Sequence, residues 1–443
     1  MSEFLFYKLI SFIFSTGFFF IAWLAKRKVG YWLNPSSIFS LFWLLYTVMP
    51  LSFAFFVPIN PLVLLYILMF NLCFMLSVYF FNWRTAFELN KEKPPAIFIF
   101  NTLMFKRIFY FLSLFALISV FLTILGQGVT VSDILTNPIK VGGFLAGKRY
   151  AQDITPTLFS ALSFAFSYFS VLFGGIVYAV VPRKKIIIII FSFAPSLMVM
   201  LLQSAKGLFF LSLFIFIGGV LLVRVYNKNY SLFDKKSIKT LFIAGIVVLP
   251  LILMSFLSRG MMDISDSQLI INKLTRYLLS YTSGHLYGFS DWFTDRYFAG
   301  ALFSYKQEEY TLGFYSIMSV FRLLGDMREI PVGVYDEYFS YGLFLKSNIY
   351  TVFRGLITDF TLIGSLIVSV SVGFLCNFCF YRLLCEKSPA FYSVFFIIFV
   401  AVSYQSYIIS SLIWNSMVVL LFGGTSLFFI YFQFISKKLL KVK

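Results

Sequence analysis

The chain has 443 residues, 60% of them hydrophobic, with 61 phenylalanines and only 12% charged residues. No soluble globular surface can be made from that composition. The formal net charge of +18 comes from 36 Lys and Arg against 18 Asp and Glu, but the basic residues are scattered through short loops. That speaks against a nucleic-acid partner, which needs them gathered on a folded surface with aromatic platforms.

A hydrocarbon core about 30 Å thick takes roughly 20 mainly apolar residues per helix, and such runs recur along the chain. In order, the spacing predicts spans over 5–25, 36–57, 61–82, 107–126, 158–181, 186–203, 207–225, 239–258, 355–383, 390–410 and 412–435. The expectation is an all-α, polytopic membrane protein of about eleven spans, forming a single membrane domain over 1–443. The first span follows a short N-terminus with no basic region and no small-residue cleavage site, so it reads as a retained helix. Spans six and seven are separated by almost nothing, at 204–207.

Lys and Arg collect in short cytoplasmic loops. The loops starting at Lys26, Arg84, Arg183, Arg224 and Arg382, with the C-terminal tail from Lys437, hold 22 basic residues against four acids, Glu88, Glu92, Asp234 and Glu386. That side, C-terminus included, is expected to face the cytoplasm. The remaining 14 basic and 14 acidic residues cancel, so the high isoelectric point reports topology. Cys73, Cys376 and Cys379 fall inside spans and Cys385 at a cytoplasmic edge. The C-x-x-C spacing of Cys376 and Cys379 has no second pair or histidine to complete a metal site, and it reads as packing.

Two outward segments are long, 127–157 and 258–355. The second is crowded with aromatic residues, among them Trp292, Tyr297 and Tyr305. Its "SDSQLIINKLTRYLLSYTSG" offers Asp266 or Ser267 as a cap and Gly284 as a stop, which predicts short helices lying on the outer surface. On these flanks sit Arg259, Arg276, Arg296, Arg322, Arg328 and Arg354, the only histidine, His285, and from a short outer turn Lys206. The arginine fork suits phosphate oxygens, though arginine at a membrane edge also snorkels or meets ordinary lipid phosphate. Lys206 lies between apolar runs, where a cation is expensive unless it has a partner or a wet cavity.

Arg354 and Asp359 stand beside the ninth span. Five residues apart on a helix is about 140° apart in direction, so they are expected to face different neighbours. His285 is a candidate general base, and Asp326, Glu329, Asp336, Glu337 and Asp359 are acidic candidates the sequence does not rank. No Asp-x-Asp spacing lies on the outer face, which points to a reaction without a metal or other cofactor.

The stretches "YFAGALFSYKQEEYTLGFYSIMSVFRLLG", "IP" and "SNIYTVFRGLITDFTLIGSL", with the earlier "NPSSIFSLFWLLYTVMP" and "SAKG", resemble the bacterial oligosaccharide repeat unit polymerases, the Wzy-type O-antigen and capsule polymerases. Two positions depart from that pattern. Thr361 stands where a glycine is expected after Asp359-Phe360, and Lys206 where arginine is common.

The resemblance implies a GT-C-like glycosyltransferase of the inner membrane with its active face in the periplasm. It would join undecaprenyl-diphosphate-linked oligosaccharides, with membrane lipid around it and a chain-length regulator as an optional partner. In that reading Lys206, Arg259, Arg276 and Arg354 hold diphosphates, His285 or Asp359 is the base, and Trp292, Tyr297 and Tyr305 stack on sugars. An O-antigen ligase is the nearest rival, since it would use the same donor. A flippase for the same lipid is the transporter rival, and it predicts charged residues deep in several spans and repeat-related halves.

Overall fold

A computed structural model describes residues 3–440 apart from 152, 154, 156, 204, 233, 258–265, 327 and 329–332; the side chains of 150, 235–238, 240–244, 247 and 436–440 also lie outside it. Among the described residues nine helices are long and apolar enough to cross a membrane: Glu3–Val29, Pro35–Phe53, Pro61–Phe80, Leu103–Leu125, Leu158–Val180, Lys185–Leu202, Lys206–Tyr226, Thr351–Cys385 and Asn415–Ile435. The chain is a membrane-spanning helical protein. The two other expected spans are helices as well, Lys235–Leu257 and Ala390–Gln405, the latter 16 residues long. The nearly loopless stretch at 204–207 does divide two helices, one ending at Leu202 and one beginning at Lys206.

Contacts gather the chain into two compact units. One holds Met1–Arg84, Gln268–Tyr381 and Val402–Asn415; the other holds Thr85–Ser267, Arg382–Ala401 and Ser416–Lys443.

In the first unit two helices begin on an Asn-Pro pair. Asn34 and Asn60 accept from the backbone N–H groups of Ser37 and Leu62 at 2.9 and 3.0 Å, and the proline after each has no N–H left to satisfy. Lipid tails are as apolar as leucine, so membrane helices associate through close packing and polar bonds more than through hiding apolar area. Asn377 donates to Ser36 and Ser77 at 3.0 and 2.9 Å, Ser369 donates to the Phe70 carbonyl at 2.6 Å, and Tyr66 meets Ser365 at 2.8 Å. These bonds tie residues 362–385 to the Pro35–Phe53 and Pro61–Leu76 helices. They also fix direction: Asn377 lies at the end of the unit that carries Lys26, Arg27 and Lys28, the last turn of Glu3–Val29. The start of that helix at 362 therefore lies toward the opposite end, where Asn60, at the start of Pro61–Leu76, donates its N–H to Ser290 at 3.0 Å.

The long segment departs from expectation. One 31-residue helix, Ser267–Tyr297, runs straight through Gly284, and its stretch from Ser283 to Phe293 is buried instead of lying on the outer surface. Gly284 serves a close approach, not a stop: a Cβ there would sit 2.4 Å from the Ser347 Cβ. A short helix Phe314–Leu323 follows, then an antiparallel hairpin of Phe339–Tyr341 with Leu345–Ser347, Phe339 opposite Ser347. The Thr351–Cys385 helix is broken at Thr361, whose φ is 66° and ψ 173°. It is a short helix, 351–360, followed by a membrane-length one, 362–385.

In the second unit the Leu158–Val180 and Lys206–Tyr226 helices meet backbone to backbone. A Cβ on Gly175 would lie 2.2 Å from the Phe216 carbonyl oxygen, and one on Gly219 would lie 2.9 Å from that of Leu172, the close approach that small residues permit. The segment after Leu103–Leu125 folds into helices Val131–Thr136 and Pro138–Tyr150, and Gln127 pins its far end by bonding both the carbonyl and the N–H of Thr155, at 2.9 and 3.2 Å.

Candidate functional site

Residues 347–360, where Arg354 and Asp359 lie, assemble a charged and aromatic cluster at the end of the first unit away from its basic turn. Asn348 donates to the Tyr335 carbonyl at 3.2 Å, and the Tyr350 hydroxyl donates to the Glu337 carbonyl at 3.0 Å while accepting from the Phe339 N–H. These bonds fasten the loop before the hairpin against the start of the 351–360 helix. Thr351 opens that helix, its hydroxyl accepting from the Phe353 N–H at 3.2 Å.

Arg354 is fully buried. Its Nε donates to Glu308 Oε1 at 3.1 Å, and its Nη2 reaches both Glu308 Oε1 and Glu337 Oε2. The guanidinium lies over the rings of Tyr335 and Tyr350, at 4.1 and 4.4 Å, with Trp292 and Tyr305 at 5.3 and 5.7 Å. Thr358, one turn on, donates to Glu308 Oε2 at 2.7 Å, and the Lys306 N–H donates to Glu337 Oε1 at 2.7 Å. One cation faces two carboxylates, so the cluster is formally an anion. Arg354 as placed holds acids, and a diphosphate would have to displace them first. Its Nη1 and the Tyr335 hydroxyl have no hydrogen-bond partner among the described residues. Burial pushes the Tyr335 phenol well above its ordinary pKa, so it stays a neutral donor.

Asp359 faces elsewhere, as the five-residue spacing predicts. It accepts from the N–H groups of Tyr315 and Ser316 at 3.0 and 2.7 Å and from the hydroxyls of Thr311 and Ser316. It caps the Phe314–Leu323 helix, whose own cap position is Gly313, at φ 107° and with no side chain to do so. A buried carboxylate so fully engaged is a cap in this arrangement, with both oxygens already accepting.

His285 is buried as well. Its Nε2 lies 2.9 Å from the Tyr46 carbonyl, so it carries the proton; Nδ1 has no partner among the described residues. Burial lowers the imidazole pKa to about 4, and the ring packs edge-on to Tyr46 and Tyr407. Nothing in this geometry offers it to a substrate. Trp292 and Tyr305 are buried too: Trp292 stacks on Phe289, and Tyr305 donates to Asp291 at 2.9 Å. Their faces belong to the arginine cage and not to an open sugar platform. Tyr297 is half-buried against Phe293.

Arg276 is half-exposed on the Ser267–Tyr297 helix and makes no ion pair among the described residues. Arg259 and Glu329 lie outside the described residues. Asp326 pairs with Arg328 and Asp336 with Lys306, both at the surface. In the second unit Lys206 is buried at the start of its helix, donating to the Ser255 carbonyl at 3.2 Å with its ammonium 3.8 Å from the Phe256 ring centroid. Arg149 donates to the Gln203 carbonyl at 2.9 Å, on the turn just before it.

Comparison with known proteins does not extend this reading. No family model, curated protein or solved structure matches the chain. The cluster therefore stands on its own chemistry: carboxylates aligned by an arginine and a threonine, ringed by tyrosines. Glu308, in "QEEY", was not among the acids singled out from the sequence. Its only signal there is an acidic pair amid aromatic residues, which a solvated loop shows equally well. Four of its contacts come from residues 46 to 50 positions away or from Arg296, whose Nη2 donates to the Glu308 carbonyl at 3.2 Å.

Proposed function

We propose that this protein is a polysaccharide polymerase that joins oligosaccharides carried on undecaprenyl diphosphate, at the periplasmic face of the inner membrane. The observation that carries the reading is the Glu308–Arg354–Glu337 cluster, at the end of a membrane-spanning unit opposite its basic turn. Glycosyl transfer from a lipid diphosphate asks for a proton acceptor, cations for the leaving group, and alignment of two tethered substrates. Carboxylates suit a saccharide, whose hydroxyls donate to them, and the exposed ring of Tyr310, beside Glu308, offers a face for stacking. Lys206, Arg259 and Arg276 remain the cations this reading assigns to diphosphates.

The test is the surface glycan made by host cells lacking the gene, with and without the wild-type gene restored. A polymerase leaves single repeat units on the acceptor and regains the full ladder on complementation. Loss of even the single unit points to ligation or flipping and removes the polymerase reading.

A further inference from the structure

The base that glycosyl transfer needs is not supplied by the histidine or by the capping aspartate, both of which are engaged elsewhere. We infer that Glu308 is the general base of the site and that Arg354 is its positioning residue. The inference rests on the glycosyl-transfer reading above. Glu308 is gripped from one helix: Arg354 holds Oε1 through two N–H groups, and Thr358, one turn along, donates to Oε2 at 2.7 Å. That leaves Oε2 with one neutral donor and a further lone pair. The side chain is 12% exposed, so it has an open edge. Glu337, the other acid, is anchored by the Lys306 backbone and belongs to the loop fastened by Asn348 and Tyr350.

Two features beside Glu308 point to a ligand. The buried Arg354 Nη1 and Tyr335 hydroxyl, on groups in face-to-ring contact at 4.1 Å, lack partners among the described residues, and buried donors left unpaired cost free energy that an incoming oxygen removes. On the open side, Arg296 is half-exposed, bonded to the Glu308 carbonyl and 5.7 Å from the ring of Tyr310, which is 56% exposed. A saccharide hydroxyl entering past Tyr310 meets a carboxylate, with a cation beside it for the phosphate end of a donor.

The step balances without any co-reactant. The acceptor's O–H bond breaks and its proton passes to Glu308 Oε2. The freed electron pair forms the new bond to the donor's anomeric carbon, whose bond to the diphosphate oxygen breaks with that pair leaving on the diphosphate.

The experiment uses the full chain in membrane vesicles, supplied with lipid-linked repeat units extracted from host cells lacking the gene, and follows polymer formed and lipid diphosphate released against pH. Glu308→Gln keeps an acceptor for Arg354 but cannot take a proton. It is expected to lower the rate by about 10²- to 10⁴-fold and to abolish the fall in rate on acidification that the wild type shows. Thr358→Val removes the one donor to Oε2, a bond that favours the charged carboxylate, and is expected to move that acidic limb to higher pH. Wild-type activity with Glu308→Gln within threefold of it overturns the base and leaves the transferase reading standing. If Glu308→Gln does not fold, an acidic limb unmoved in Thr358→Val overturns it instead. A wild type that releases no lipid diphosphate brings down both.

Discussion

Thr361 shows a residue whose chemistry and backbone disagree. Its φ of 66° with ψ of 173° lies in a region that only glycine enters freely, at a cost of about 1–3 kcal/mol for other residues. A glycine would adopt this backbone at no steric cost. Threonine gives something back: its hydroxyl accepts from the Gly364 N–H at 3.2 Å and so caps the 362–385 helix. The two effects separate by substitution. Thr361→Gly relieves the strain and loses only a few tenths of a kcal/mol of capping, so it is expected to stabilise the protein by about 1 kcal/mol. Thr361→Ala keeps the strain and loses the cap, and is expected to destabilise by about 1 kcal/mol. Thermal unfolding in detergent reads both, and equal signs would remove the argument.

Among the elements, the Phe314–Leu323 helix owes its start to a residue more than 40 positions away. Gly313 turns the chain in but has no side chain to cap it, and Asp359 accepts from the N–H groups of Tyr315 and Ser316. Removing that carboxylate strands buried donors and takes a negative charge from the positive end of the helix. Asp359→Ala is expected to cost on the order of 2–3 kcal/mol. Faster hydrogen exchange at 315–323, with little change in the Ser267–Tyr297 helix, is the signature. Exchange that rises equally in both would mean the helix does not depend on this cap. The Ser267–Tyr297 helix teaches the converse. A glycine that reads as a stop in "YTSG" continues the helix, because Ser347 occupies the space where a side chain would go.

For the whole molecule, the testable statement is sidedness. In the first unit the basic turn at Lys26–Lys28 and the Arg354 cluster lie at opposite ends, and positive charge favours the cytoplasm. With the native cysteines replaced, a cysteine at Tyr310 is therefore expected to react with a membrane-impermeant maleimide on intact spheroplasts. One at Arg27 is expected to react only after permeabilisation. Reversed labelling would place the cluster in the cytoplasm and end the proposed function.

The sequence by itself determined that this chain lives in a membrane, where its long apolar helices run, and that Arg354 and Asp359 do not pair. Those are consequences of composition, of apolar run length and of 3.6 residues per turn, all local. Burial and partnership were decided only by the tertiary structure. The Nε and Nη2 of Arg354 are held by Glu308 and Glu337, 46 and 17 positions away, and His285 is sealed against a carbonyl 239 positions away. An arginine that holds carboxylates and one that awaits a phosphate look the same in one dimension, because what separates them is which oxygens the fold brings within about 3 Å.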